Sequence, residues 1–148
     1  MIDDQDIGPP ETNLRTLIHF LGEMIDAKLV NWRKDTPYAG VRASDVRIFV
    51  TATRGPKSIS EIARKLGISR QSAQASVKRL IKLGVVELER LPDNKREKLV
   101  LITPRGVLAG KTAKQQIETI ESDVAAIIGR ENLENMRKNL TELVSNKF

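Results

Sequence analysis

The chemistry of this chain is concentrated between Arg70 and Lys82. Helical spacing places Gln71, Ala75, Lys78, Arg79 and Lys82 on one face, with Ser72 and Gln74 on its flanks and Arg70 at its start. A glutamine amide can pair with an adenine edge, a guanidinium with guanine, and an alanine methyl can pack against the methyl of thymine. Lys78, Arg79 and Lys82 lie farther along, where cations suit phosphate oxygens better than base edges. The opposite stripe, Ala73, Val77, Leu80 and Ile81, is apolar and should face a core. A second set, Asn94, Lys95 and Arg96, occupies the tip of a charged turn. Such a tip can enter a minor groove, whose narrow A·T tracts attract arginine. Arg47, Arg54 and Lys57 are weaker candidates for backbone clamps. Each set also has a plainer reading: the glutamines as ordinary polar helix surface, and Pro92-Asp-Asn as turn chemistry whatever its use.

The flanking residues supply the elements that would position these groups. Ser60-Glu-Ile-Ala-Arg-Lys-Leu-Gly-Ile-Ser69 reads as a short helix, a tight turn at Gly67 and a serine cap. The helix that Ser69 caps runs from Arg70 to about Leu83 and stops at Gly84. Val85–Arg90 and Lys98–Ile102 read as strands on either side of Pro92-Asp-Asn-Lys-Arg96. The layout is that of a winged helix-turn-helix, which lays one helix in a major groove.

Charge follows the same division. The chain has 25 Lys and Arg against 19 Asp and Glu, a net of +6. Residues 1–40 are acidic (−3) and residues 107–148 neutral, whereas residues 41–106 hold 15 basic and 6 acidic side chains, +9. A basic middle between acidic and neutral ends is the footprint of a phosphate-binding segment; a solvated basic surface is the alternative. There are no cysteines, which removes disulfides, thiolate metal sites and thiol redox sensing. No apolar run approaches the roughly 20 residues that span a bilayer, and no signal peptide opens the chain, so the expected location is cytoplasmic. No catalytic, metal or cofactor site is expected: His19 is the only histidine, and no phosphate loop or nucleophile–base signature is present.

The ends differ in character from the middle. Residues 1–12 are acidic, with Gly8-Pro9-Pro10 breaking any helix, and read as a loose arm. Leu14, Leu17, Ile18, Leu21, Ile25 and Leu29 recur at helical spacing up to about Asn31. After the connector Asp35-Thr-Pro-Tyr-Ala-Gly40, Ser44 would cap a helix carrying Val46, Phe49 and Val50, which Gly55-Pro56 stops. Thr103-Pro104 starts a long helix to Ile128, and Gly129 ends it. A last helix over about residues 131–144 carries Leu133, Met136, Leu140 and Leu143. The end helices carry more apolar surface than a winged lobe needs, and a second copy of the chain is the expected cover.

The order of elements resembles the MarR (multiple antibiotic resistance regulator) family of bacterial transcription factors, over essentially the whole chain from Leu14. Ser60-Glu-Ile-Ala, Ser69 with Val77-Lys-Arg-Leu-Ile-Lys-Leu-Gly-Val-Val-Glu, and Leu101-Ile-Thr-Pro-Arg-Gly106 carry the resemblance. Arg96 stands seven residues before Thr103, as in the family's wing; Asn94 takes the place of the usual Asp, and Ile102 that of the usual Leu. The resemblance implies a mainly α fold with a small β-wing and a single domain over residues 1–148. Helices 13–33 and 107–148 would dimerise it, and residues 41–106 would form the DNA-binding lobe. It further implies a homodimeric repressor on a pseudo-palindromic operator in double-stranded DNA, released by a small aromatic or anionic ligand. His19, Trp32, Tyr38 and Phe49 could line the ligand cleft, with Arg33 or Arg47 meeting a carboxylate. The rival from another class is a winged-helix dimer that binds protein and has lost operator recognition.

Overall fold

The computed structural model describes residues 13–90, 92 and 96–147. Residues 1–12, Asp93, Asn94 and Lys95 lie outside the described residues. The chain divides into two compact units, the first ending at Thr103 and the second beginning at Pro104.

The first unit opens with α1 (Leu14–Arg33), where Asn13 Oδ1 accepts the Thr16 N–H at 2.9 Å. No residue of α1 is buried. Helix α2 (Ala43–Thr53) begins one residue before the expected Ser44 cap. The cap position falls on Arg42 instead, and the Asp45 carboxylate at the third helical position accepts the Arg42 N–H at 3.1 Å, the reciprocal half of a capping box. The buried face of α2 is Asp45, Ile48 and Ala52. Val46 and Val50, expected as its apolar stripe, are exposed, and Phe49 is only half-buried.

Helix α3 (Ile59–Leu66) likewise starts earlier than Ser60 suggests. Ser58 caps it: its oxygen accepts the Glu61 N–H at 3.2 Å, and Glu61 sits three residues on, as a capping box requires. Helix α4 (Arg70–Lys82) is capped by Ser69, which accepts the Ser72 N–H at 3.0 Å, as expected. Both helices end in the same motif. Gly67 and Gly84 take φ of 64° and 76°, and the next residue's N–H reaches back five residues, Ile68 to Ala63 and Val85 to Leu80. These left-handed positions suit glycine, which has no Cβ to clash.

Three antiparallel strands form the sheet, one more than the sequence suggested. Strand β1 (Lys57–Ser58) pairs with β3 (Leu99–Ile102), and β3 pairs with β2 (Val86–Glu89). A two-residue strand has no alternation of its own to reveal it. The core joins all these pieces: Ile48 and Ala52 of α2, Ile62 and Ala63 of α3, Ala73, Val77 and Leu80 of α4, and Val86 and Val100 of the sheet.

The second unit is a helical hairpin, α5 (Pro104–Ile128) and α6 (Arg130–Asn146), joined at Gly129 with φ 90°. Ile120 and Leu133 are buried in it. Arg137 on α6 donates to both oxygens of Glu121 on α5, at 2.9 and 2.8 Å. That pairing raises the Arg137 pKa and holds the Glu121 carboxyl below its usual range.

Candidate nucleic-acid interface

Helix α4 turns two different faces outward and inward. Ala73, Ser76, Val77 and Leu80 are buried; Arg70, Gln71, Ser72, Gln74, Ala75, Lys78 and Lys82 are exposed. Ile81, expected in the inward stripe, is 38% exposed, and Ser76 takes the buried place instead. The buried arc is turned toward α2, where Asp45 gives the Ser76 hydroxyl a polar partner that no apolar stripe would anticipate. The outward face therefore presents two amides and a methyl near the helix start and two lysines toward its end. Short, adaptable groups precede point charges, which is the order that base edges and phosphates require.

Arg79 stands apart from its basic neighbours. Its Nε lies 3.2 Å from both Asp45 oxygens, and a terminal nitrogen lies 2.8 Å from Asp45 Oδ1 and 2.9 Å from Ser76 Oγ. Asp45 is 1% exposed. Burial alone would raise its pKa, but hydrogen bonds from Arg79, Ser76 and the Arg42 backbone, with the Arg79 charge, outweigh that and lower it. The guanidinium read from sequence as a phosphate contact is thus engaged by a buried carboxylate of α2, while its side chain stays about a third exposed.

In the wing, Arg96 is exposed, while Asn94 and Lys95 lie outside the described residues. Ser58, Ser60, Arg70, Arg90, Arg96 and Lys98 line a concavity of about 230 Å³ beside the start of α4. Glu97 is the acidic residue among its lining groups. Four cations around one hollow favour an anion the size of a phosphate group. Arg90 and Lys98 were not singled out from the sequence. Strand register could have found them, because Glu89 pairs with Leu99 and the next pair outward is Arg90 with Lys98.

The weaker clamp candidates are placed differently. Lys57 Nζ donates to the carbonyls of Gly55 at 3.1 Å and Thr51 at 3.4 Å, at the end of α2. Arg47 donates to the Leu66 carbonyl, the last of α3, at 3.4 Å. Both cations sit at the C-terminal ends of helices, where positive charge is favoured. Arg54 is exposed.

The residues suggested for a ligand cleft are not gathered at one point. His19 and Trp32 lie on one continuous helix, thirteen residues and so about 20 Å apart along its axis. His19 is exposed, beside Glu23 at 3.5 Å and Phe20. Trp32, Arg33 and Tyr38 are half-buried around the connector. Among the described residues, no three His, Asp or Glu side chains come together as a metal site would need. None of the helices described is long and apolar enough to cross a membrane.

Residues 48–97, from α2 through most of the wing, match the MarR family model. None of the curated proteins compared with the chain matches it. Solved structures match over nearly its whole length. The reduced form of MarR from E. coli is 17% identical, with a TM-score of 0.75 over 91% of this chain and 98% of that one. RV1404 from Mycobacterium tuberculosis is 20% identical, with a TM-score of 0.70 over 89% of each. A MarR-family transcriptional regulator from Rhodococcus sp. RHA1 is 19% identical, with a TM-score of 0.67 over 90% of this chain and 97% of that one. The helix-turn-helix and most of the wing, residues 48–97, thus match the MarR family model, and the fold along the chain is the one these solved structures share.

Proposed function

We propose that the chain is a sequence-specific regulator of transcription that binds double-stranded DNA as a homodimer of a single MarR-like domain, residues 1–148. The observation that carries this reading is the outward face of α4, with Gln71, Gln74 and Ala75 ahead of Lys78 and Lys82 beside a hollow ringed by Arg70, Arg90, Arg96 and Lys98. In this reading Gln71 and Gln74 touch base edges, Ser72 and Arg70 anchor the helix start, and Lys78 and Lys82 grip phosphates. Asn94, Lys95 and Arg96 reach the adjacent minor groove, and Arg90 and Lys98 hold the strand passing between.

Dimerisation is supported by apolar surface within each unit. Helix α1 exposes Leu14, Leu17, Ile18, Phe20, Leu21 and Met24, and α6 exposes Leu140, Leu143 and Val144. A second copy of the chain is the proposed cover, since a two-fold partner presents the same stripes. Repression by occupying the operator, and release by a small aromatic or anionic ligand near Trp32, Tyr38 and Arg47, extend the reading along the lines the family resemblance implies.

Selection of bound sequences from a random duplex pool tests the proposal. A pseudo-palindrome should emerge, with half-sites about 10–10.5 bp apart centre to centre or a multiple of that. Recovery of unselected sequence, with weak and salt-insensitive binding, would instead support a protein-interaction module.

A further inference from the structure

We propose that Asp45 and Arg79 are positioning residues for sequence reading. In this proposal the buried carboxylate on α2 sets the rotation of α4 about its own axis, and with it the aim of Gln71, Gln74 and Ala75. The inference rests on the DNA-binding reading above and adds the device that gives that reading its precision.

The buried face of α4 combines apolar side chains with one directional polar contact. Its buried side chains are Ala73, Ser76, Val77 and Leu80, two of them small. Apolar burial is non-directional, so it restrains roll less sharply than a hydrogen-bonded contact does. The Asp45 contact is directional. The carboxylate meets the Arg79 fork at 2.8 to 3.2 Å, and the same guanidinium reaches Ser76 Oγ one turn earlier at 2.9 Å. The backbone N–H of Arg42 pins the carboxylate in turn at 3.1 Å. With Asp45 only 1% exposed, water has little access to replace a missing partner. A roll of about 10° at a side-chain radius of roughly 6 Å moves a glutamine amide by about 1 Å. Hydrogen bonds that hold donor and acceptor within about 2.7–3.2 Å do not survive such a shift.

The pair has a second consequence. Arg79 lies beside the exposed face that carries Lys78 and Lys82, where a free guanidinium would add grip on any duplex. Holding it on Asp45 withholds that sequence-blind contact and widens the contrast between matched and random DNA.

The experiment uses the duplex enriched in the selection above, the same duplex with one mismatch at the base pair read by Gln71, and a random duplex. Affinity for each is measured over a salt series for the full-length wild type, Asp45→Asn and Arg79→Lys. Circular dichroism confirms that each variant is folded. Asp45→Asn should lower the matched-to-mismatched ratio about tenfold. Its affinity for random duplex should hold or rise, and its salt slope should steepen by about one unit per released arginine. Arg79→Lys keeps the charge but loses the fork, so it should lower the ratio while leaving the slope nearer wild type; it carries the test if Asp45→Asn does not fold. Loss of affinity in equal measure for all three duplexes, with the ratio intact, would show a merely structural pair and overturn the proposal. A wild type without sequence preference overturns the DNA-reading proposal and this one with it. A selective wild type whose variants keep its selectivity overturns this one alone.

Discussion

Thr103 is latched to Gly84. Its hydroxyl donates to the Gly84 carbonyl, and its N–H donates to the Val85 carbonyl at 3.2 Å. Gly84 is the left-handed residue that terminates α4, and Thr103 is the first residue beyond β3. One side chain therefore ties the end of the proposed recognition helix to the exit of the wing, nineteen residues later. The ladder of Val86 with Ile102 starts directly beside this tie.

Thr103→Val keeps the shape of the side chain and removes the donor. The Gly84 carbonyl, partly shielded from water, would lose that partner, at a cost of about 1–2 kcal/mol. Urea denaturation should register that loss. Hydrogen exchange should place the faster opening in the amides of β2 and β3, with α3 little changed. Unaltered stability would mean that the latch is redundant.

Acid should weaken the protein in part through Asp45. Its carboxyl is held below the ordinary value of 3.8, so the folded state favours the ionised form. The stability this contributes is complete above the unfolded value and is lost as pH falls toward the lower folded one. Asp45→Asn should flatten the decline of stability below about pH 4. Glu121, lowered by Arg137, should leave some of that decline in place. Arg79→Ala at neutral pH should cost about 3 kcal/mol, because a buried carboxylate loses its counter-charge. Urea melts at stepped pH measure both effects, and an unchanged acid limb in Asp45→Asn would count against the assigned pairing.

Reading and grip should separate between Gln71 and Lys82. Gln71→Ala should relax preference at one base pair in each half-site by about 1–3 kcal/mol, with the salt slope nearly unchanged. Lys82→Ala should weaken binding to all duplexes alike and lower the slope by about one unit for each phosphate left without its lysine. Titration of matched and mismatched duplexes across a salt series distinguishes the two. Equal weakening on every sequence by Gln71→Ala would place that residue outside the bases.

Assembly should depend on the last helix. Deleting residues 131–148 removes Leu133, which is buried, together with Leu140 and Leu143, which are 38% and 41% exposed and free to meet a partner. Each leucine buried contributes roughly 1.5–3 kcal/mol. Sedimentation of the truncated chain should show monomer or aggregate. A well-behaved dimer would move the interface elsewhere.

The order of elements was legible from sequence because its signals are local. Ser69 caps α4 from the adjacent residue, Gly67, Gly84 and Gly129 take up the left-handed or open turns they suggest, and Pro104 opens α5. The outward line of Gln71, Gln74, Ala75, Lys78 and Lys82 follows from helical period alone, and all five are exposed. Contacts between residues far apart in sequence needed the tertiary structure. Periodicity set Arg79 beside Lys78 and Lys82, yet a carboxylate thirty-four residues earlier engages its guanidinium. That same contact buries Ser76, while Ile81 is left half in water. Arg90 and Lys98 join Arg70 around one hollow only after β2 and β3 pair. A cap or a turn is decided within a few residues, whereas the partner of a long charged side chain depends on which helix folds against it.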